Sequence, residues 1–179
     1  MGSFLEKVDS VRKALKAGLY EPALALALTL PDICSIIEYP AEKSVTKRYI
    51  DWCDCHIFTN QSTDSDIEFT GAALYQLRCH FLHSGDNAIF KNTGTIWTLV
   101  KINEFDLMEP KEGLGTELMS RIETWKDIDT GEVTYIAKMN LRFILDAICD
   151  SAEDFYDSWP NKNAFDDHIV NILKYSIEP

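Results

Sequence analysis

The sequence predicts a mainly α protein: a helical bundle with a small antiparallel β insertion, about three strands, between its fourth and fifth helices. Three observations point there. Apolar residues recur at spacings of three and four over both ends of the chain, as they do in helices with one buried face. Between those ends lies Thr95-Ile96-Trp97-Thr98-Leu99-Val100-Lys101-Ile102, β-branched and partly alternating, which reads as a strand. Further on, Asp127-Ile128-Asp129-Thr130-Gly131 supplies hairpin chemistry between two more extended stretches.

The first helix is expected over 3–17, with Phe4, Val8, Val11 and Leu15 on one face and Gly18 ending it. Glu21-Pro22 opens the second, because proline's missing N–H costs nothing at a first helical position. The run Ala23-Leu24-Ala25-Leu26-Ala27-Leu28 alternates like a strand, but alanine and leucine are strong helix formers, so helix is expected. Pro31 either kinks this helix or restarts it, and Ile33, Ile36 and Ile37 carry the apolar face on to Tyr39-Pro40. A third helix follows over about 44–58, with Tyr49, Ile50, Trp52 and Cys53 as its buried positions. After a polar loop at 60–66, a fourth helix starts from Thr70. Strands at 117–126 and 132–138 then flank the hairpin turn. Helices over 140–156, with Leu141, Ile144, Leu145 and Ile148 apolar, and over 163–175 complete the chain. The expected organisation is one domain, 1–179, with a β-containing insertion at 87–138.

At 179 residues with 46% apolar content the chain has enough material for a sizeable core. It has no run of eighteen apolar residues, so no membrane span is expected, and the N-terminus lacks the basic-then-apolar order of a signal peptide. Five cysteines, an odd number mostly in expected helices, fit a reducing cytoplasm rather than a disulfide framework. Twenty-nine acids against 17 bases give a net charge of −12, which argues against gripping long nucleic acid through many phosphates. Basic residues gather in two small clusters, Arg12, Lys13 and Lys16 on the first helix, and Lys43, Lys47 and Arg48 leading into the third. Between Asp146 and Asp167 seven acids face a single lysine, so a nucleic acid would have to bind locally in a cleft.

The residues that carry chemistry lie in Leu77-Arg78-Cys79-His80-Phe81-Leu82-His83-Ser84-Gly85, at the end of the fourth helix. A guanidinium can fork onto a phosphate and hold developing charge, and an imidazole can move a proton near neutral pH. Arg78 falls inside the apolar stripe of Leu74, Leu77, Phe81 and Leu82, so it needs either a carboxylate partner or a function. Five residues of helix place His83 about 140° around from Arg78, so one site could use both only if the last turn unwinds or a second copy completes it. Cys53-Asp54-Cys55-His56 with Cys79, His80 and His83 invites zinc. A Cys-x-Cys on a helix, however, points its sulfurs about 200° apart, so neither a metal nor a cofactor is expected.

A helix ending in Arg-x4-His-x-Gly after earlier helical segments, together with Leu30-Pro31-Asp32-Ile33-Cys34, resembles the HEPN superfamily over about 3–85. These are small, mostly helical, usually dimeric domains of toxins, phage-defence systems and plasmid-borne proteins, and many are metal-independent endoribonucleases with an Arg-x4–6-His motif. The resemblance implies that Arg78 would stabilise phosphoryl charge while His83 takes a proton from a ribose 2′-hydroxyl, leaving a 2′,3′-cyclic phosphate and a 5′-hydroxyl. It further implies a homodimer with both motif helices at the interface. Lys47 and Arg48 are candidates for RNA backbone contacts. The residue after the arginine, often polar in active members, is Cys79 here. That residue and the net acidity favour an alternative expectation, a non-catalytic HEPN-like module that binds a nucleotide or a protein such as a nucleotidyltransferase antitoxin.

Overall fold

The computed structural model describes residues 4–59, 70–84, 104–108 and 120–168. The protein is mainly α. Its elements run α1 (Phe4–Lys16), α2 (Tyr20–Ala27), α3 (Leu30–Glu38), α4 (Val45–His56), α5 (Gly71–Ser84), β1 (Glu104–Met108), β2 (Ser120–Lys126), β3 (Val133–Asn140), α6 (Leu141–Ser158) and α7 (Asn163–Asp166). The last expected helix, 163–175, ends at Asp166, with Asp167 as its C-cap and 167–168 in a turn; the part of it beyond residue 168 and the expected strand at Thr95–Ile102 lie outside the described residues.

Local chemistry explains the boundaries. Gly18, at φ 73°, lets the chain turn left-handed after α1. Its N–H donates to the Leu15 carbonyl at 3.1 Å while Leu19 N–H reaches back to Ala14 at 2.9 Å, so the last carbonyls are satisfied. Pro31 restarts the second expected helix rather than kinking it. The chain breaks at Leu28 and Thr29, the Thr29 hydroxyl donates to Leu26 O at 2.7 Å, and Pro31 lies in the first turn of α3, where no donor is missed. Among the described residues five helices therefore precede the strands, not four. Ser44 caps α4 by accepting from Lys47 N–H at 3.2 Å. Two groups serve the start of α5: Thr70 Oγ1 accepts from Ala73 N–H at 3.3 Å, and Asp54 Oδ1, reaching over from α4, accepts from Gly71 N–H at 2.6 Å.

The core forms where α6 lies against α1, α2 and α3, with α4 bridging α3 and α5. Phe4, Val8 and Val11 from α1, Trp52 from α4, Leu74 and Leu77 from α5, and Ile144 and Ile148 from α6 are among its fully enclosed side chains. Each contributes on the order of 1.5–3 kcal/mol by leaving water. An aromatic layer runs through it: Trp52 stacks on His56 at 4.9 Å, and Phe155 meets the edges of both. The stretch Tyr20–Glu38 has the length and composition of a membrane span, but 56% of its apolar window is buried among the other helices.

The two expected strands that are described, now β2 and β3, pair antiparallel, but β1, which was not among the expected strands, runs parallel to β3. Their order is β1-β3-β2, with β2 antiparallel to β3 and β1 parallel to it, Glu104 standing opposite Ile136 and Met108 opposite Asn140. The reason is topological. The chain reverses once between β1 and β2 and again between β2 and β3, so β1 and β3 run the same way, and β3 occupies the slot beside both. At the hairpin turn Asp127 N–H bonds Glu132 O at 2.9 Å, and Gly131 takes φ 72°.

Candidate functional site

Arg78 projects from α5 toward the first turn of α3. Its Nε and Nη2 both donate to Asp32 Oδ2, at 3.1 and 2.9 Å, and its guanidinium lies 5.8 Å from the centre of the Tyr75 ring. Nη1 points to the Cys79 sulfur, at 3.9 Å. The pair is half-buried, with 21% of the Arg78 and 23% of the Asp32 side chain exposed. Because both donors converge on one oxygen, Asp32 Oδ1 is left buried with no hydrogen-bond partner among the described residues. Arg78 thus has the carboxylate partner that a cation in an apolar stripe requires.

A second arginine acts on Asp32 at longer range. Arg48, on α4, gives Nη1 to the Glu42 carbonyl at 3.2 Å, while its buried Nε has no partner among the described residues. It attracts Asp32 electrostatically without forming an ion pair with it. Two tyrosines complete the surroundings. Tyr49, fully enclosed, donates to Leu28 O at 3.2 Å, and Tyr75 Oη accepts from the Thr46 hydroxyl at 2.9 Å, the two rings meeting edge-on at 5.3 Å.

Burial raises the Asp32 carboxyl above its ordinary pKa, and the attraction of Arg78 and Arg48 offsets only part of that rise. For Arg78, burial is the largest single influence and opposes the charge, but the attraction and hydrogen bonds of Asp32, with smaller contributions from Cys79, together outweigh it and the guanidinium binds its proton more tightly. The partners share one attraction but not one degree of enclosure. The carboxylate, with an unpaired buried oxygen, bears the larger desolvation cost, so the upward shift at Asp32 is the one that governs the pair.

His83 is exposed on the last turn of α5. That helix continues unbroken from Gly71 to Ser84, so the two motif residues are about 140° apart around its axis. One chain does not bring Arg78 and His83 to a common point. Lys47 is also turned away: exposed, it pairs with Asp51 at 2.6 Å and Glu42 at 3.6 Å. Among the candidate residues, Arg78 pairs directly with Asp32, and Arg48 acts on the same carboxylate only through its charge. The apolar stripe is also shorter than expected, since Leu74 and Leu77 are fully buried but Leu82 is exposed.

The residue that sequence reasoning passed over as a site member is Asp32. Its signal was present in the demand of Arg78 for a partner and in the Leu30-Pro31-Asp32-Ile33-Cys34 stretch, but nothing in the sequence said which acid would meet it. Among the described residues, no group of three or more His, Cys, Asp or Glu side chains is placed to hold a metal ion. Comparisons with family models, curated proteins and solved structures find no match to this chain.

Proposed function

We propose that this chain is a HEPN-like module, with its β-containing insertion at 87–138, that binds a partner through the Arg78 region and does not cut RNA by itself. The observation that carries this reading is the Asp32–Arg78 pair. The guanidinium that a nuclease would offer to phosphate is already neutralised at 2.9 Å, while His83 sits on another side of the same helix. A nucleotide, or a protein such as a nucleotidyltransferase antitoxin, is the occupant this reading expects, in a cytoplasmic setting. The test is cleavage of end-labelled RNA in EDTA by purified protein. The expected result is intact RNA with wild type, Arg78→Ala and His83→Ala alike.

One feature favours a second reading, a metal-independent endoribonuclease assembled across a two-fold dimer. His83 is exposed beside the exposed Leu82 near the end of α5, where a second copy could bring its own motif helix alongside. In that case the same assay gives cyclic-phosphate ends that both substitutions abolish, and light scattering finds a dimer in all three proteins.

A further inference from the structure

The hairpin of β2 and β3 ends in a turn whose shape is fixed from within. Asp127 Oδ1 accepts from the backbone N–H groups of Asp129 and Thr130, each at 2.8 Å, and Thr130 Oγ1 accepts from Glu132 N–H at 3.3 Å. Asp127 N–H donates to Glu132 O and Gly131 N–H to Asp127 O, both at 2.9 Å. None of these bonds uses the side chain of residue 128, so a polar residue would serve the turn there equally well. The residue is Ile128, 97% exposed, and Trp125, three residues before it, is 62% exposed. Three residues of chain span at most about 10 Å, so both side chains leave from one small region. Large apolar groups held in water on a rigid support suit the anchors of an interface. The turn is already ordered, so docking it costs little conformational freedom.

The charges around these two residues select the occupant. Every residue from Thr124 to Glu132 is exposed, and there Asp127, Asp129 and Glu132 stand against Lys126. Hydrogen bonds, first that from the Thr130 backbone, hold the Asp127 carboxyl below its ordinary pKa, so it stays charged. An acidic frame repels the phosphates of nucleic acids and of anionic lipids. A second copy of this chain, at −12, has the wrong sign, and its Arg12, Lys13 and Lys47 are already paired with acids of their own chain. We infer that the β2–β3 hairpin tip is a docking knob for a different, basic protein, whose apolar pocket takes Ile128 and Trp125 inside a rim of lysine or arginine. The tip is on a different element from Arg78, and the inference does not rest on the reading given for that residue.

The test starts from the full chain carrying Asp129→p-benzoylphenylalanine, expressed in the cells that naturally make it, where light joins the tip to whatever protein sits on it. The captured protein is then purified and titrated with the unmodified chain by calorimetry, and that titration decides. The expected result is binding that Ile128→Ser weakens about tenfold or more, that Trp125→Ala also weakens, and that falls as NaCl rises from about 50 to about 300 mM. Ile128 is almost wholly in water, so Ile128→Ser should keep the wild-type circular dichroism and urea midpoint, and its loss of binding then reports the tip rather than the fold. Binding indifferent to Ile128→Ser, binding that strengthens with salt, crosslinks only between copies of this chain, or no crosslink at all would each overturn the inference. The RNA assay bears on the Arg78 region alone, so neither of its outcomes changes this one.

Discussion

At Arg78 the guanidinium has exchanged water for a single carboxylate oxygen, and undoing the exchange strands Asp32. Arg78→Ala is therefore expected to lower stability by about 1–3 kcal/mol in urea unfolding. That is less than a fully enclosed pair would lose, because 21% and 23% of the two side chains remain in water. The double variant Arg78→Met, Asp32→Leu should recover most of the loss, since no buried charge is left over; a loss equal to the sum of the single changes would show the two do not act as a pair. The pH dependence follows from Asp32. Burial raises its folded pKa above its unfolded value near 3.8, so the folded state holds this proton more tightly than the unfolded chain. Its contribution to stability is complete below that unfolded value and is lost as pH rises through the raised folded one. Wild type should thus lose more stability than Asp32→Asn between pH 4 and neutrality, measured as the difference in urea midpoints. A larger loss in the variant would reverse the sign of the shift.

Among the elements, the seam between α4 and α5 is tightly specified at Gly71. A Cβ at Gly71 would stand 2.5 Å from the Ile50 carbonyl oxygen and 2.9 Å from Cys53 Cβ, both on the facing helix. Backbone cannot swing aside as a side chain can, so Gly71→Ala should cost about 1–3 kcal/mol and lower the melting temperature by several degrees. Asp54→Ala removes the carboxylate that accepts from Gly71 N–H, and about 1 kcal/mol is expected from that lost cap. Helix positions were legible in the sequence because local rules fix them: Gly18, Ser44 and the three-and-four spacing of Phe4, Val8, Val11 and Leu15 act within a few residues. The break before Pro31 was legible only as a choice between kink and restart. β1 was not legible at all, neither as a strand nor in its direction, because its pairing with β3 is non-local and no pattern within Glu104–Met108 fixes it.

Over the whole molecule the charge of −12 is concentrated enough to matter. Arg12 holds Asp150 and Glu153 of α6 at 2.7 and 2.5 Å, but these groups are a third or more exposed, so the clamp contributes at most about 1 kcal/mol. Net self-repulsion should dominate the salt response. The urea midpoint is expected to rise as NaCl increases from about 10 to 200 mM, over which the screening length shortens from roughly 30 Å to below 10 Å. A falling midpoint would mean that local ion pairs such as Arg12–Glu153 and Arg78–Asp32 outweigh the global repulsion.

The mainly α fold, most helix faces and the isolation of Arg78 within an apolar stripe were determined by the sequence itself, because periodicity, capping and propensity act between neighbours along the chain. The same helical arithmetic set His83 away from Arg78. What only the tertiary structure decided is the company Arg78 keeps. Asp32 lies 46 residues earlier and Arg48 lies 30 residues earlier, on separate helices whose relative placement depends on how their buried faces pack. Choosing Asp32 out of 29 acids requires knowing which carboxylate the packing of α3 against α4, and of α4 against α5, carries to the half-buried edge of the core.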